Sequence, residues 1–114
     1  MKKAVLLLML LAILVGCEFS SVDYQAIEYR VTGSTATADL VYQNGRLGTS
    51  LQSGVIVPWS LSFMGNPRSS LFISAQKDDN PATNVTVTIY ANGNVFATST
   101  VSGAKVTATA DGTL

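Results

Sequence analysis

Two Ser-x-x-Lys segments have the residue types and the spacing that nucleophilic catalysis uses. They are Ser74-Ala75-Gln76-Lys77 and Ser102-Gly103-Ala104-Lys105, and some serine enzymes place the nucleophile and its Lys at this spacing. The chemistry requires a helix, because three residues make nearly one helical turn, whereas on a strand the same offset points the two side chains to opposite faces. The companion Ser-Asp-Asn and Lys-Thr-Gly segments do not occur in the sequence. No catalytic residue is therefore assigned, and we expect a protein that is not an enzyme.

An acidic segment, Asp78-Asp79-Asn80, offers oxygen ligands of the kind that calcium prefers. Calcium takes roughly six to eight such ligands, and the segment has neither the glycine-spaced loop nor the distal Glu of a calcium-binding loop. We therefore interpret it as a solvated hairpin loop. The sequence contains no His, which removes Ser-His and Cys-His nucleophile pairs and His-based metal sites. The prediction is that the protein holds no metal and no cofactor.

Aromatic side chains could provide a platform for a carbohydrate or a lipid. Trp59 alternates in phase with Val57 and Leu61, so its side chain is predicted to lie in the core. Tyr90 lies out of phase with the apolar residues of its own segment and is predicted to be exposed or at a rim. The outward Thr and Ser residues are good strand formers and specify no ligand.

The charges of the chain exclude one class of partner. Beyond residue 16 there are five basic and seven acidic residues, with the two signs interspersed. A nucleic-acid-binding protein needs a clustered basic face. The sequence has no such cluster, so no nucleic acid is expected as a partner.

The elements that must position these residues follow an apolar leader. Residues 1–16 start with Met-Lys-Lys, continue as an unbroken apolar run from Ala4 to Val15 and end at Gly16. This order is typical of a secretory signal peptide. A helix over the apolar run would be about 18 Å long, which is shorter than the roughly 30 Å of bilayer hydrocarbon and disfavours a transmembrane helix. Most of the mean hydropathy of +0.34 comes from this leader.

The end of the leader, Leu14-Val15-Gly16-Cys17, resembles the lipobox of bacterial lipoproteins. The resemblance implies that the chain is cut before Cys17 and that lipid joined to the Cys17 thiol anchors the new N-terminus in a membrane. Cys17 is the only Cys in the chain, and lipidation would explain an unpaired Cys in an exported protein. The alternative is an incidental Cys after an ordinary cleavage site. Glu18 favours the outer membrane where the host has one; otherwise the outer face of the cytoplasmic membrane is expected.

From Gln25 onward the sequence alternates with period 2 and is rich in Val, Ile, Thr, Tyr and Phe, which is typical of half-buried strands. The predicted inward faces include Ile27, Tyr29 and Val31; Ala36, Ala38, Leu40 and Tyr42; Leu71, Ile73 and Ala75; and Val85, Val87 and Ile89. The alternate residues of 55–63 are predicted to share the core face of one strand, which Pro58 places at an edge or a bulge. We therefore predict an all-β fold over 25–114, an immunoglobulin-like antiparallel β-sandwich of seven to eight strands. It follows the signal segment 1–16 and a lipidated linker, 17–24.

Four blocks in this order resemble the small MmpS-type domain: Tyr29 to Gly33, Val57 to Ser60, Ile73 to Gln76 and Val85 to Tyr90, the last followed by Asn92-Gly93. The resemblance covers residues 27–114, and Pro-Trp-Ser is its most specific element. It implies a membrane-attached envelope protein whose β-sandwich lies outside the membrane and, in some members, accompanies a large lipid transporter. Better-known members are held by a transmembrane helix and several carry paired Cys residues, whereas this chain has Cys17 alone.

Together these features predict a lipid-anchored, non-catalytic protein of the cell envelope. One hypothesis is that the sandwich is a binding or accessory module for a membrane transport complex, with a membrane transporter or another envelope protein as partner. The alternative is a surface adhesion or stress-response lipoprotein that binds glycan or protein through its loops.

Overall fold

The computed structural model describes residues 24–46 and 48–114, and this part of the chain forms eight β-strands and no helix. The strands are β1 (Gln25–Thr32), β2 (Thr37–Gln43), β3 (Thr49–Ile56), β4 (Trp59–Gly65), β5 (Ser70–Lys77), β6 (Asn84–Ala91), β7 (Asn94–Ser102) and β8 (Thr107–Thr113). The predicted leader 1–16, Cys17 and the linker up to residue 23 lie outside the described residues.

The strands form two antiparallel four-stranded sheets that pack face to face. The first sheet has the order β4-β1-β6-β7 and the second has the order β3-β2-β5-β8. The all-β sandwich predicted from the alternation is therefore confirmed. Each sheet has two central strands, and β1 and β6 at the centre of the first sheet face β2 and β5 at the centre of the second.

The core lies between the sheets and is built from the inward residues of the central strands and β8. Every residue predicted to point inward in β1, β5 and β6 is buried, and so are Ala38, Leu40 and Tyr42 of β2. Ala36, by contrast, is exposed, because it lies in the turn before β2. Burial of a branched or aromatic side chain contributes about 1.5–3 kcal/mol, so these strands supply most of the hydrophobic stabilisation.

The segment 55–63 differs from the prediction of a single strand. β3 ends at Ile56 and β4 begins at Trp59, and the chain crosses from the edge of the second sheet to the edge of the first through a cis Val57-Pro58 peptide bond. The alternate residues still pack against the core, but they are only half-buried, because both strands are edges. Alternation along the sequence is continuous through the corner and does not reveal the change of sheet.

The sandwich has two distinct ends. We call the end where β1 begins the proximal end; it carries the β2–β3 loop (44–48), the β4–β5 loop (66–69) and the β6–β7 turn (92–93). The opposite, distal end carries the β1–β2 turn (33–36), the β5–β6 loop (78–83) and the β7–β8 turn (103–106). Among the described residues, none belongs to a helix long and apolar enough to cross a membrane.

Candidate functional site

The distal end is closed by a buried lysine. Lys77 is the last residue of β5, and its parity with Leu71, Ile73 and Ala75 turns its side chain inward, where none of it is exposed. Its Nζ donates to the main-chain carbonyls of Asp78 (3.1 Å), Asn80 (2.6 Å) and Gly103. The ammonium therefore ties the β5–β6 loop to the β7–β8 turn.

The acidic segment that the sequence offers as a weak calcium candidate surrounds this ammonium. Asp78 Oδ1 lies 3.3 Å from Lys77 Nζ and also accepts from the Thr83 hydroxyl (3.0 Å) and the Asn80 amide (3.1 Å). Partial burial raises the pKa of Asp78, but the hydrogen bonds from Thr83, Asn80 and Lys77 outweigh it and hold the pKa at about 2. The oxygen atoms of this loop converge on the Lys77 ammonium, which is part of the chain itself. The segment is therefore a hairpin loop that is held by internal contacts.

Neither Ser-x-x-Lys segment brings its two side chains together for catalysis. Ser74 and Lys77 lie three positions apart on β5 and point to opposite faces of the second sheet, as the strand geometry requires. Ser102 ends β7, whereas Lys105 lies in the following turn with a positive φ of 53°. Within the described residues no three His, Cys, Asp or Glu side chains come together as a metal site.

An aromatic cluster connects the two sheets. The Tyr29 hydroxyl donates to the Gln43 carbonyl (2.7 Å) and accepts from the Phe72 amide (3.3 Å), so a residue of β1 bonds to both central strands of the second sheet. Burial raises the pKa of Tyr29, and the Phe72 amide only partly offsets this. Trp59 packs against Tyr42 with ring centroids 5.3 Å apart and is half-buried. The sequence predicts that Trp59 lies in the core; it packs against the core but is only partly buried, because β4 is an edge strand.

A shallow, open groove lies on the outer face of the first sheet. It has a volume of about 400 Å³ and crosses β4, β1 and β6 near the proximal end. The small side chain of Ala26 forms its floor, because Ala26 pairs with the larger Met64 on one side while Tyr90 rises from β6 on the other. The groove is lined by Ala26, Glu28, Ser62, Met64, Tyr90 and Gly93, with Ile27 and Phe63 beneath.

An ion pair lies at the distal edge of the groove, between Glu28, which lines the groove, and Arg30 beside it. Arg30 donates to Glu28 at 2.9 Å, and its guanidinium lies 4.7 Å from the centroid of the Tyr90 ring. This arrangement fixes the half-exposed Tyr90, whose predicted position at a rim is confirmed. A carboxylate, a guanidinium and a phenol beside an apolar floor can bind an amphipathic molecule, and nothing in the set is arranged as a nucleophile with its base.

Sequence reasoning identified Tyr90 but missed the groove and the burial of Lys77. The parity of Lys77 with three apolar residues was a usable signal for burial. The groove had no comparable signal, because it depends on which strands are neighbours: β4 and β6 flank β1 only in the folded sheet. No protein-family model matches this sequence, and no curated protein matches it.

Proposed function

We propose that this chain is a lipid-anchored protein of the cell envelope whose sandwich acts as a non-catalytic binding or accessory module. The observation that carries the proposal is the position of Cys17. The only Cys of the chain stands directly after a basic start, an apolar run and a Gly, which is where a lipoprotein signal needs it. Lipid on Cys17 would hold the domain at a membrane, on the outer membrane where the host has one and otherwise on the outer face of the cytoplasmic membrane.

The groove supports a binding role for the domain. It joins an apolar floor to Glu28 and Tyr90, with Arg30 paired to both beside it, which is the composition of a recognition site. The separation of Ser74 from Lys77 across the sheet favours binding over catalysis. A partner in a membrane transport complex is proposed to contact this face, in line with the resemblance to transport-accessory domains.

The anchor is tested by replacing Cys17 with Ser in the full chain. Radiolabelled palmitate should mark the wild-type protein, while C17S should lack the label and keep its leader, because the thiol that takes the lipid is gone. A C17S chain that is processed and membrane-bound like the wild type would refute lipidation. Ser53→Cys in the C17S background is a matched control, since it restores a thiol at an exposed position outside the motif.

The partner is tested by photo-crosslinking in the native membrane. A photoreactive amino acid at Ser62, on the groove, should capture a specific envelope protein. The same amino acid at Thr109, on the outer face of the second sheet, should not. Equal capture at both positions would show that the groove is not the contact.

Glycan binding is a second candidate, favoured by Tyr90. A tyrosine ring held by Arg30 beside the Glu28 carboxylate offers a face and hydrogen-bonding groups to a sugar. Tyr90→Ala should then abolish retention on a cell-wall glycan column, whereas Tyr24→Ala, which removes an exposed tyrosine outside the groove, should not. Retention that survives Tyr90→Ala would rule this candidate out.

A further inference from the structure

We propose that the proximal end of the sandwich rests directly on an anionic lipid surface, so that the anchored domain has one fixed orientation on the membrane. The inference depends on the proposed lipid anchor, and it adds a docking surface and a lipid chemistry to it. We call this surface the docking end and define it by Tyr24, Met64, Val95, Arg46 and Arg68.

The docking end concentrates exposed apolar side chains. Tyr24, Met64 and Val95 are 53%, 58% and 61% exposed, and they make up three of the five large apolar residues that are exposed in the described part of the chain. Tyr24 directly precedes β1, Met64 pairs with Ala26 near the start of β1, and Val95 pairs with Tyr90 beside the β6–β7 turn. Met64 and Val95 lie on the outer face of the first sheet close to this end, and exposed aromatic and apolar side chains clustered near one end of a domain suit the headgroup region of a bilayer.

The loops of the two ends carry opposite charge. At the proximal end, Arg46 and Arg68 are exposed in the β2–β3 and β4–β5 loops, and no acidic residue lies in the described part of those loops. The carboxylates of this end lie outside the loops: Asp111 is on β8, and Glu18 and Asp23 are in the linker. At the distal end, the loops carry Asp78 and Asp79 against the single exposed Lys105. A membrane surface of anionic phospholipid attracts the first set and repels the second.

The linker that would join the lipid on Cys17 to the domain is attached at the same end. The chain between Cys17 and β1 is Glu18 to Tyr24, which reaches about 25 Å when fully extended, and it enters the domain at the docking end. The distal end lies about 26 Å beyond the docking end, because the strands between the two ends rise about 3.3 Å per residue. A lipid on Cys17 would therefore keep the docking end within reach of the headgroups and the distal loops away from them. The groove lies on the outer face of the first sheet, so it would open sideways just above the headgroups and stay accessible to a partner in the same membrane.

The test uses the full lipidated chain in vesicles of phosphatidylethanolamine and phosphatidylglycerol that contain a headgroup nitroxide lipid. Met64→Cys and Ala104→Cys place one thiol at the docking end and one in the distal β7–β8 turn, and each is labelled with a small apolar fluorophore, which keeps an apolar group at position 64. Both positions are exposed, so the labels leave the core intact. We expect the label at residue 64 to be quenched about threefold more than the label at residue 104, because only the first would lie among the headgroups.

A charge variant tests the choice of lipid. In the Met64→Cys background, Arg46→Gln together with Arg68→Gln should reduce the quenching about twofold, and so should vesicles of neutral phosphatidylcholine. Equal quenching at residues 64 and 104 would overturn the docking. So would a label at residue 64 that is shielded from water without being quenched, which is the result expected if a second copy of the chain covers this end.

The experiment distinguishes a failure of the proposed lipid anchor from a failure of the proposed membrane docking. The wild-type chain has no thiol other than Cys17, so labelling of the wild-type protein would reveal a free Cys17 and refute the lipid anchor. A blocked Cys17 combined with an unquenched label at residue 64 would overturn the docking and leave the anchor intact.

Discussion

At the scale of single residues, Lys77 does most to determine what the distal end can do. Several main-chain carbonyls and one carboxylate oxygen converge on its ammonium, an arrangement that in other loops holds a metal ion. Here the cation is covalently part of β5, so the loops are ordered without any ion from solution. The loops of the distal end are consequently held together by Lys77, and the proposed binding features lie toward the proximal end.

Replacing Lys77 with Met keeps an unbranched side chain that is one atom shorter and removes the charge. The carbonyls and the Asp78 carboxylate would lose their common partner, and breaking a buried charged contact costs about 3–5 kcal/mol. We expect the free energy of unfolding to fall by about 3 kcal/mol, measured by urea denaturation with the single tryptophan, Trp59, as the fluorescent probe. Lys105→Met removes an exposed lysine of the neighbouring turn and should change the stability by less than about 0.5 kcal/mol. Equal losses in both variants would contradict the role assigned to Lys77.

Asp78 makes the stability depend on pH. Its pKa in the folded state is about 2, below the roughly 3.9 of an unfolded chain. A depressed pKa means that the stabilisation is fully present above about pH 4 and is lost as the pH falls toward 2. The urea midpoint should therefore drop over this interval. Asp78→Asn should show a weaker dependence there, and a variant with the same acid sensitivity as the wild type would contradict the assignment.

At the scale of elements, the turn between β1 and β2 requires a glycine at residue 33. Gly33 has a φ of +131°, and a Cβ at this position would lie 2.5 Å from the Asn84 carbonyl oxygen and 2.9 Å from Val85 Cα. The turn is also bonded to the start of β6, through Thr35 N to Asn84 O (3.0 Å) and Ser34 N to Asn84 Oδ1 (2.9 Å). A side chain at residue 33 would push these two backbones apart.

Gly33→Ala should therefore lower the free energy of unfolding by about 3 kcal/mol, because unfavourable φ and backbone overlap add together. Gly93→Ala is the matched control: its φ is also positive, at +81°, but a Cβ there would meet nothing within 4 Å. Its cost should be about 1 kcal/mol from the backbone alone. Thermal unfolding of the two variants, followed by circular dichroism, gives the difference. If Gly93→Ala were the more damaging change, the close approach at Gly33 would not matter.

The central strands were the elements that the sequence predicted best. β1, β5 and β6 are covered on their inward side along their whole length, so alternation is strict and the inward residues are buried as predicted. The edge strands were harder to predict, because a half-covered strand tolerates polar residues on both faces; β3 has the sequence TSLQSGVI and a register shift opposite 38–40. The corner at Pro58 escaped prediction for a related reason, since inward residues on both sides of it keep the same phase.

At the scale of the whole molecule, the two sheets share one core and are joined by the Tyr29 hydroxyl. Neither sheet can bury its inner face without the other. We expect a single cooperative unfolding transition, in which the fluorescence of Trp59 and the far-ultraviolet circular dichroism of the strands are lost at the same urea concentration. Two separated midpoints would mean that the sheets unfold independently, contrary to the shared core.

The strand order also determines when the chain can fold. β1 is the first strand to be synthesised, yet it lies between β4 and β6, whose residues come much later in the sequence. Its backbone therefore cannot complete its pairing until β6 has been made, and folding that depends on such distant pairings is slow. For a chain exported as proposed, this delay would be useful. The polypeptide would stay unfolded while it passes through a narrow translocation channel, and the two sheets would pack together only after the last strands have crossed.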